Sequence, residues 1–205
     1  MASPPDGPIV FLLGNRTSQA DFERFAVGND WLAHDERPGL VPKAAYEKVW
    51  VTPDRGTSIH YVDDPTPRER YVVVQGPHAG SVASQMCAAN LDVRTREDVF
   101  NRGLAAATTP ERTTVAWQLA VTTPLHDKKV QDVLKSLYEN GNELVRSAVV
   151  DAIGYRGWAE SRPFLEDVAS KDASAELREK ARKIVDAWWG DETGGAGSEE
   201  TAENN

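Results

Sequence analysis

The chain has 205 residues, 40% hydrophobic and 27% charged, which allows one domain or two small ones of ordinary globular composition. A formal net charge of −9 argues against a nucleic-acid ligand, whose phosphates an acidic surface repels; it fits simple solubility or a partner with a basic surface. No apolar run is long enough to span a membrane, no basic region precedes the first apolar run, and the single cysteine, Cys87, excludes an internal disulfide, so a cytoplasmic protein is expected.

Residues 1–7 are Pro-rich and are expected to be a disordered tail. The first ordered run, Ile9 to Leu13, is apolar throughout and of strand length. Ser18 and Asp21 then have the spacing of a capping box, which predicts a helix through Phe22, Phe25 and Ala26. Residues 29–43 read as irregular because Pro38, Gly39 and Pro42 interrupt any pattern. Residues 46–63 read as a hairpin, two alternating runs joined by Pro53, Asp54, Arg55 and Gly56. Tyr71 to Val74 form a further, central strand. Gly76 to Gly80 lead into a helix with Val82, Met86 and Cys87. Thr95 and Asp98 form a second capping box ahead of a helix through Val99, Phe100 and Leu104. Residues 8–107 thus predict a small α+β domain of about four strands, with helices on one face.

Beyond Pro110 only helical periodicity remains. Val130, Val133, Leu134, Leu137 and Tyr138 make one stripe; Leu144, Val145, Ala148, Val149, Ala152 and Ile153 make another. Phe164, Leu165 and Val168, then Leu177, Ala181, Ile184 and Val185, make two more. Asn142-Glu143-Leu144-Val145-Arg146 recurs as Ser174-Ala175-Glu176-Leu177-Arg178, each copy opening on a good N-cap. An earlier, degenerate copy starts near Thr109-Pro110-Glu111, where Ala116 and Ala120 precede Ala148 and Ala152 by the same period.

The run from Val145 to Gly157, Val-Arg followed by alanines and a turn closing on glycine, resembles the second helix of bacterial HEAT repeats, with Pro163 and Leu165 where that family has Pro and Leu in its next helix. In the first copy Thr114 stands where the family has arginine. The resemblance covers 108–190 and implies an all-α stack of helical hairpins following the α+β domain. One hairpin cannot bury its apolar face alone, so neighbours must stack, and Val145, Ile153, Leu177 and Val185 are expected to line one buried seam. Residues 191–205 are acidic and Gly-rich and are expected to be a second disordered tail.

Candidate partner-binding residues are Arg146, Arg178, Trp188 and Trp189. The arginines occupy equivalent helix positions and serve either a structural ladder between repeats or a partner. Trp158, Trp188 and Trp189 lie near the end of the stack and either cap its core or present a binding hot spot. His60, near Asp63 and Asp64, has the residue types of a general base but no visible nucleophile. His78 and Cys87 flank one strand-to-helix turn and could form a nucleophilic pair, against the plainer reading of a buried thiol. The turn from Gly76 to Ser81 lacks the lysine and spacing of a Walker loop, and His34, His60, His78 and His126 are too scattered for a metal site. No cofactor is expected.

The composition, rich in arginine, alanine, valine and aspartate, points to a bacterial or archaeal source. A non-enzymatic protein-interaction module or adaptor is the first expectation. An immunity protein that covers a toxin's basic active site is a specific form of it. The alternative is an enzyme or small-ligand carrier with a pocket between the two domains, since some HEAT-like proteins act as bilin lyases.

Overall fold

The computed structural model describes residues 7–40 and 44–190. The apolar run that opens the ordered chain, β1 (Ile9–Leu13), buries Val10 to Leu13 because it lies inside a sheet covered on both faces. The other strands are β2 (Leu32–Arg37), β3 (Tyr46–Val51), β4 (Ser58–Asp64), β5 (Glu69–Gln75) and the two-residue β6 (Val93–Arg94). The sheet is antiparallel throughout, in the order β2-β3-β4-β5-β1-β6.

Alternation along the strands feeds two cores. Phe11, Leu13, Trp50, Ile59, Tyr61, Val72 and Val74 point to one face, where α1 (Gln19–Gly28) and α2 (Ala79–Ala88) contribute Phe22, Ala26, Val82 and Met86. Val10, Leu12, Val62 and Tyr71 point to the other and join a continuous core with the C-terminal helices. The sheet is therefore the middle of three layers.

The remaining helices are α3 (Arg96–Ala105), α4 (Thr109–Thr122), α5 (Lys128–Glu139), α6 (Glu143–Arg156), α7 (Arg162–Lys171) and α8 (Ala175–Trp189), with a short 3-10 turn at Ala159–Ser161. Neighbours in sequence pack as pairs, α3 with α4, α5 with α6 and α7 with α8. The second helices of these pairs also stack on one another: α6 lies between α4 and α8, while α4 rests on β1. Their caps are Thr108, Asn142 and Ser174. Seven residues after each cap come Val115, Val149 and Ala181, and eleven after come Leu119, Ile153 and Val185. Val145, Ile153 and Leu177 are buried in the common core, and Val185 is partly buried against it.

The α+β architecture is as the sequence predicts, with strands first and helices after. Four details differ. Six strands replace the expected four, since β2 forms within the segment read as irregular and β6 pairs briefly with β1. Helices cover both sheet faces rather than one. Helix α4 is capped by Thr108, one residue earlier than expected, which places Pro110 in the first turn and closes a capping box with Glu111. The first helical pair is also offset by two residues: Arg112, not Thr114, lies four residues after its cap, as Arg146 and Arg178 do after theirs. The two expected disordered tails lie outside the described residues, apart from Gly7.

Candidate functional site: helical face and junction basin

The three equivalent arginines turn inward to the loops of the stack. Arg112 donates to the carbonyl oxygens of Ala106, in its own hairpin, and Asn140, in the next. Arg146 donates to the Gly141 carbonyl and makes a two-point pair with Asp172 of the next hairpin, Nε to Oδ2 at 2.9 Å and a terminal nitrogen to Oδ1 at 3.3 Å. Arg178, in the last hairpin, reaches the carbonyls of Asp172 and Ala173. The acceptors are the carbonyl-rich C-terminal ends of the first helices, where a cation is favoured. Asp172 is buried, and Tyr138 also donates to it. Burial would raise its pKa, but the hydrogen bonds from Tyr138, the Ser174 amide and Arg146 outweigh it and hold the carboxyl below its usual value.

Of the three terminal tryptophans, Trp158 and Trp189 are buried in the core, while Trp188 is 52% exposed. Its position is nonetheless fixed. The indole Nε1 donates to the Gly154 carbonyl at 2.7 Å, and the ring lies so close to Gly157 that a Cβ there would meet it at 2.4 Å. Gly157 caps α6 with a φ of 61°, so glycine serves both the left-handed turn and the seat of the indole. Beside Trp188 a shallow groove of about 680 Å³ runs along α8, with mostly apolar walls that include Ile184 and Ala187. Lys180 on its edge is held by Ser147 and Asp151 of α6.

His60 has partners the sequence reading missed. On the sheet face shared with Val62 its Nδ1 lies 2.7 Å from Glu47 Oε1 and its Nε2 lies 3.0 Å from Ser58 Oγ. Ser58 is two residues away on the same face, and Glu47 is on the neighbouring strand, a juxtaposition set by the β3–β4 register. The order of groups is that of a hydroxyl, an imidazole and an orienting acid. Ser58 is the first residue of β4, however, and its strand is paired on both sides, to Val51 of β3 and Gln75 of β5.

His78 and Cys87 lie at opposite ends of α2, about 13 Å apart by helical rise, so they form no nucleophilic pair. His78 instead bridges two turns through Asp54 at 2.8 Å, and Cys87 is exposed. Among the described residues no three His, Cys, Asp or Glu side chains converge as metal ligands. No helix there is long and apolar enough to cross a membrane.

A basin of about 660 Å³ opens where the sheet meets α3 and α4. It is polar and is lined by Arg68 of the β4–β5 turn, Glu69 at the start of β5, Arg94 of β6, Arg102 of α3, and Trp117 and Gln118 of α4. Gln118 is buried and accepts from Arg102 at 2.9 Å while donating to Glu69 at 2.7 Å. Burial pushes the Glu69 carboxyl up, against the opposing pull of the Gln118 hydrogen bond and of Arg94, Arg102 and Arg70. Nothing in the linear order of residues marks this basin, because its lining is scattered from Leu13 to Gln118 and shares no motif. Comparison of the chain with known protein families, with curated proteins and with solved structures returns no match.

Proposed function

We propose that this chain is a non-enzymatic protein-binding module of the HEAT-like class, acting in the cytoplasm, and that it docks an amphipathic helix of a partner protein in the groove between α6 and α8. The observation that carries this reading is Trp188. A large aromatic side chain left half in solvent, yet locked by a hydrogen bond and a glycine seat, is ready to bind without ordering cost. The groove follows α8 from Ala175 to Trp188, roughly 20 Å at helical rise, the footprint of about four turns of a second helix. Its apolar floor and charged rim of Glu176, Glu179, Lys180 and Lys183 suit an amphipathic partner with charges at both margins. The repeat reading is supported by the arginine four residues after each of three caps and by the seam shared along α4, α6 and α8.

The test is capture from the native host with the full chain, Ala187→Asp, Trp188→Ala and, on a different surface, Leu125→Asp. The expected result is one protein held by the parent and the Leu125 variant but lost with both groove variants, whose melting temperatures stay close to the parent's. A photo-cross-linker at Ala187 should map to an amphipathic helix of that protein. Capture that survives both groove substitutions, or sedimentation showing the groove filled by a second copy of the chain, overturns the reading. The alternative of a small-ligand carrier has one specific observation in its favour, the polar basin at the junction of sheet and helices.

A further inference from the structure

We infer that the junction basin is a binding site for a small phosphorylated ligand with a planar ring, of the nucleoside phosphate class, held by Arg68, Arg94 and Arg102 with Trp117 beside the ring. The first ground is charge. In a chain of net charge −9, three guanidiniums line one concavity with a single carboxylate, Glu69. Bringing like charges together is unfavourable unless an anion joins them.

The second ground is that two of the three guanidiniums are uncommitted. Neither the Arg68 nor the Arg94 side chain makes a hydrogen bond or ion pair with any described residue. Arg102 is used once, by Gln118. Arginine presents several N–H donors in a rigid fork matched to phosphate oxygens, so these groups retain a large donor capacity facing the basin.

The third ground is that the floor is built. Gln118 is 3% exposed and is fixed from both sides, by Arg102 and by Glu69, so the polar floor keeps its shape without a ligand. The volume of about 660 Å³ lies in the range of small-molecule and cofactor sites, and exceeds what inorganic phosphate would fill. Trp117, half-buried on α4 and steadied edge-on by Tyr155 at 5.9 Å, supplies an aromatic wall for the non-ionic part of the ligand. Phosphoryl oxygens on the arginines and a ring against the indole together define the class.

This inference does not depend on the protein-docking reading. The basin and the α6–α8 groove share no lining residue.

The experiment is isothermal titration of the full chain with ADP, inorganic pyrophosphate, citrate and a short single-stranded oligonucleotide, at low salt and at about 0.15 M salt. The variants are Arg68→Ala with Arg94→Ala, Trp117→Leu, and Arg24→Ala as a distant control. Neither the Arg68 nor the Arg94 side chain makes a hydrogen bond or close ion pair among the described residues, so their double variant should fold and melt close to the parent. The expected result is saturable binding of ADP, weaker binding of pyrophosphate, and weaker binding still of citrate. The Arg68/Arg94 variant should lose at least tenfold in affinity for both phosphates, and Trp117→Leu should remove the preference for ADP over pyrophosphate. Arg24→Ala should bind like the parent. No heat with any probe overturns the inference, as does ADP binding undiminished in the arginine variant. Citrate bound as tightly as ADP overturns the phosphate class, and a single-stranded oligonucleotide bound far more tightly than ADP overturns the small-molecule reading.

Discussion

Tyr155 joins the two halves of the molecule. From α6 its hydroxyl donates to Asp64 Oδ2 at 2.8 Å and lies 3.1 Å from the hydroxyl of Tyr71, so one buried carboxylate serves phenols from the sheet and from the helices. Arg156 beside it stacks on the Tyr155 ring and donates to the carbonyls of Ala120 and Val121, which ties α6 to α4. All five tyrosines of the chain have pKa values raised above the ordinary one, each chiefly by burial. In the unfolded chain they ionise at about 10. A folded value raised above the unfolded one gives stability that is fully present below pH of about 10 and is lost as pH rises beyond it. Denaturant titrations should therefore show stability falling steeply above pH 10. Tyr155→Phe should cost about 1–2 kcal/mol at neutral pH, from the broken network, and should make the alkaline fall shallower. A slope equal to the parent's would show that Tyr155 ionises as freely folded as unfolded.

At the scale of elements, the helical pairs are joined by matched polar contacts as well as by the seam. Asn142, the cap of α6, donates to Thr109 at the start of α4, and Ser174, the cap of α8, donates to Glu143 at the start of α6. Each cap thus serves its own helix and the preceding one. The strongest rung is Arg146 with Asp172, a two-point pair whose carboxylate is buried. Removing one partner of such a pair strands the other, so Asp172→Ala should destabilise the chain by about 3 kcal/mol in chemical denaturation. Because the folded carboxyl lies below its usual value, this stability is present above the unfolded pKa of about 3.9 and is lost as pH falls through the folded value. The parent and the variant should accordingly converge in strongly acid solution; a constant difference down to the lowest pH would place the effect in packing instead.

Strand β2 shows the opposite case, an element without a sequence signal. Leu32-Ala33-His34-Asp35-Glu36-Arg37 is exposed at every position, so no apolar alternation can form. It is a strand because its backbone pairs with β3, and a register shift between Ala33 and Asp35 leaves His34 at a bulge. The charges and the bulge blunt an edge that would otherwise invite pairing with another chain. His34 is thereby accounted for by the sheet edge, not by chemistry.

For the molecule as a whole, the decisive feature is that Val10, Leu12, Val62 and Tyr71 share a core with α4, α5, α6 and α8. Burial of this face requires the helices, and the stack in turn ends against the sheet, so neither half can unfold without exposing the other. Leu12 is 1% exposed at this contact. Leu12→Ala should cost about 3 kcal/mol, and helix content and tryptophan fluorescence should still be lost in a single coincident transition. Two separated transitions would show that sheet and helices unfold independently.

The sequence alone determined the helices with strong stripes, the capping boxes at Ser18 and Thr95, and the inner strands, while the box at Thr108 appeared only in the structure. Those signals are local, set by spacing along one chain. It also set the equivalence of Arg146 and Arg178, because each follows a polar N-cap by four residues. Tertiary structure decided the rest. Only backbone pairing makes β2, and only the β3–β4 register brings Glu47 and Ser58 to His60. Only the stacked helices show that Trp188 stays in solvent while Trp189 is buried, and that the caps of α4 and α6 are 34 residues apart while those of α6 and α8 are 32 apart. The basin of Arg68, Arg94 and Arg102 belongs wholly to this class, since residues from a turn, an edge strand and a helix meet there only after the sheet and the helices have packed.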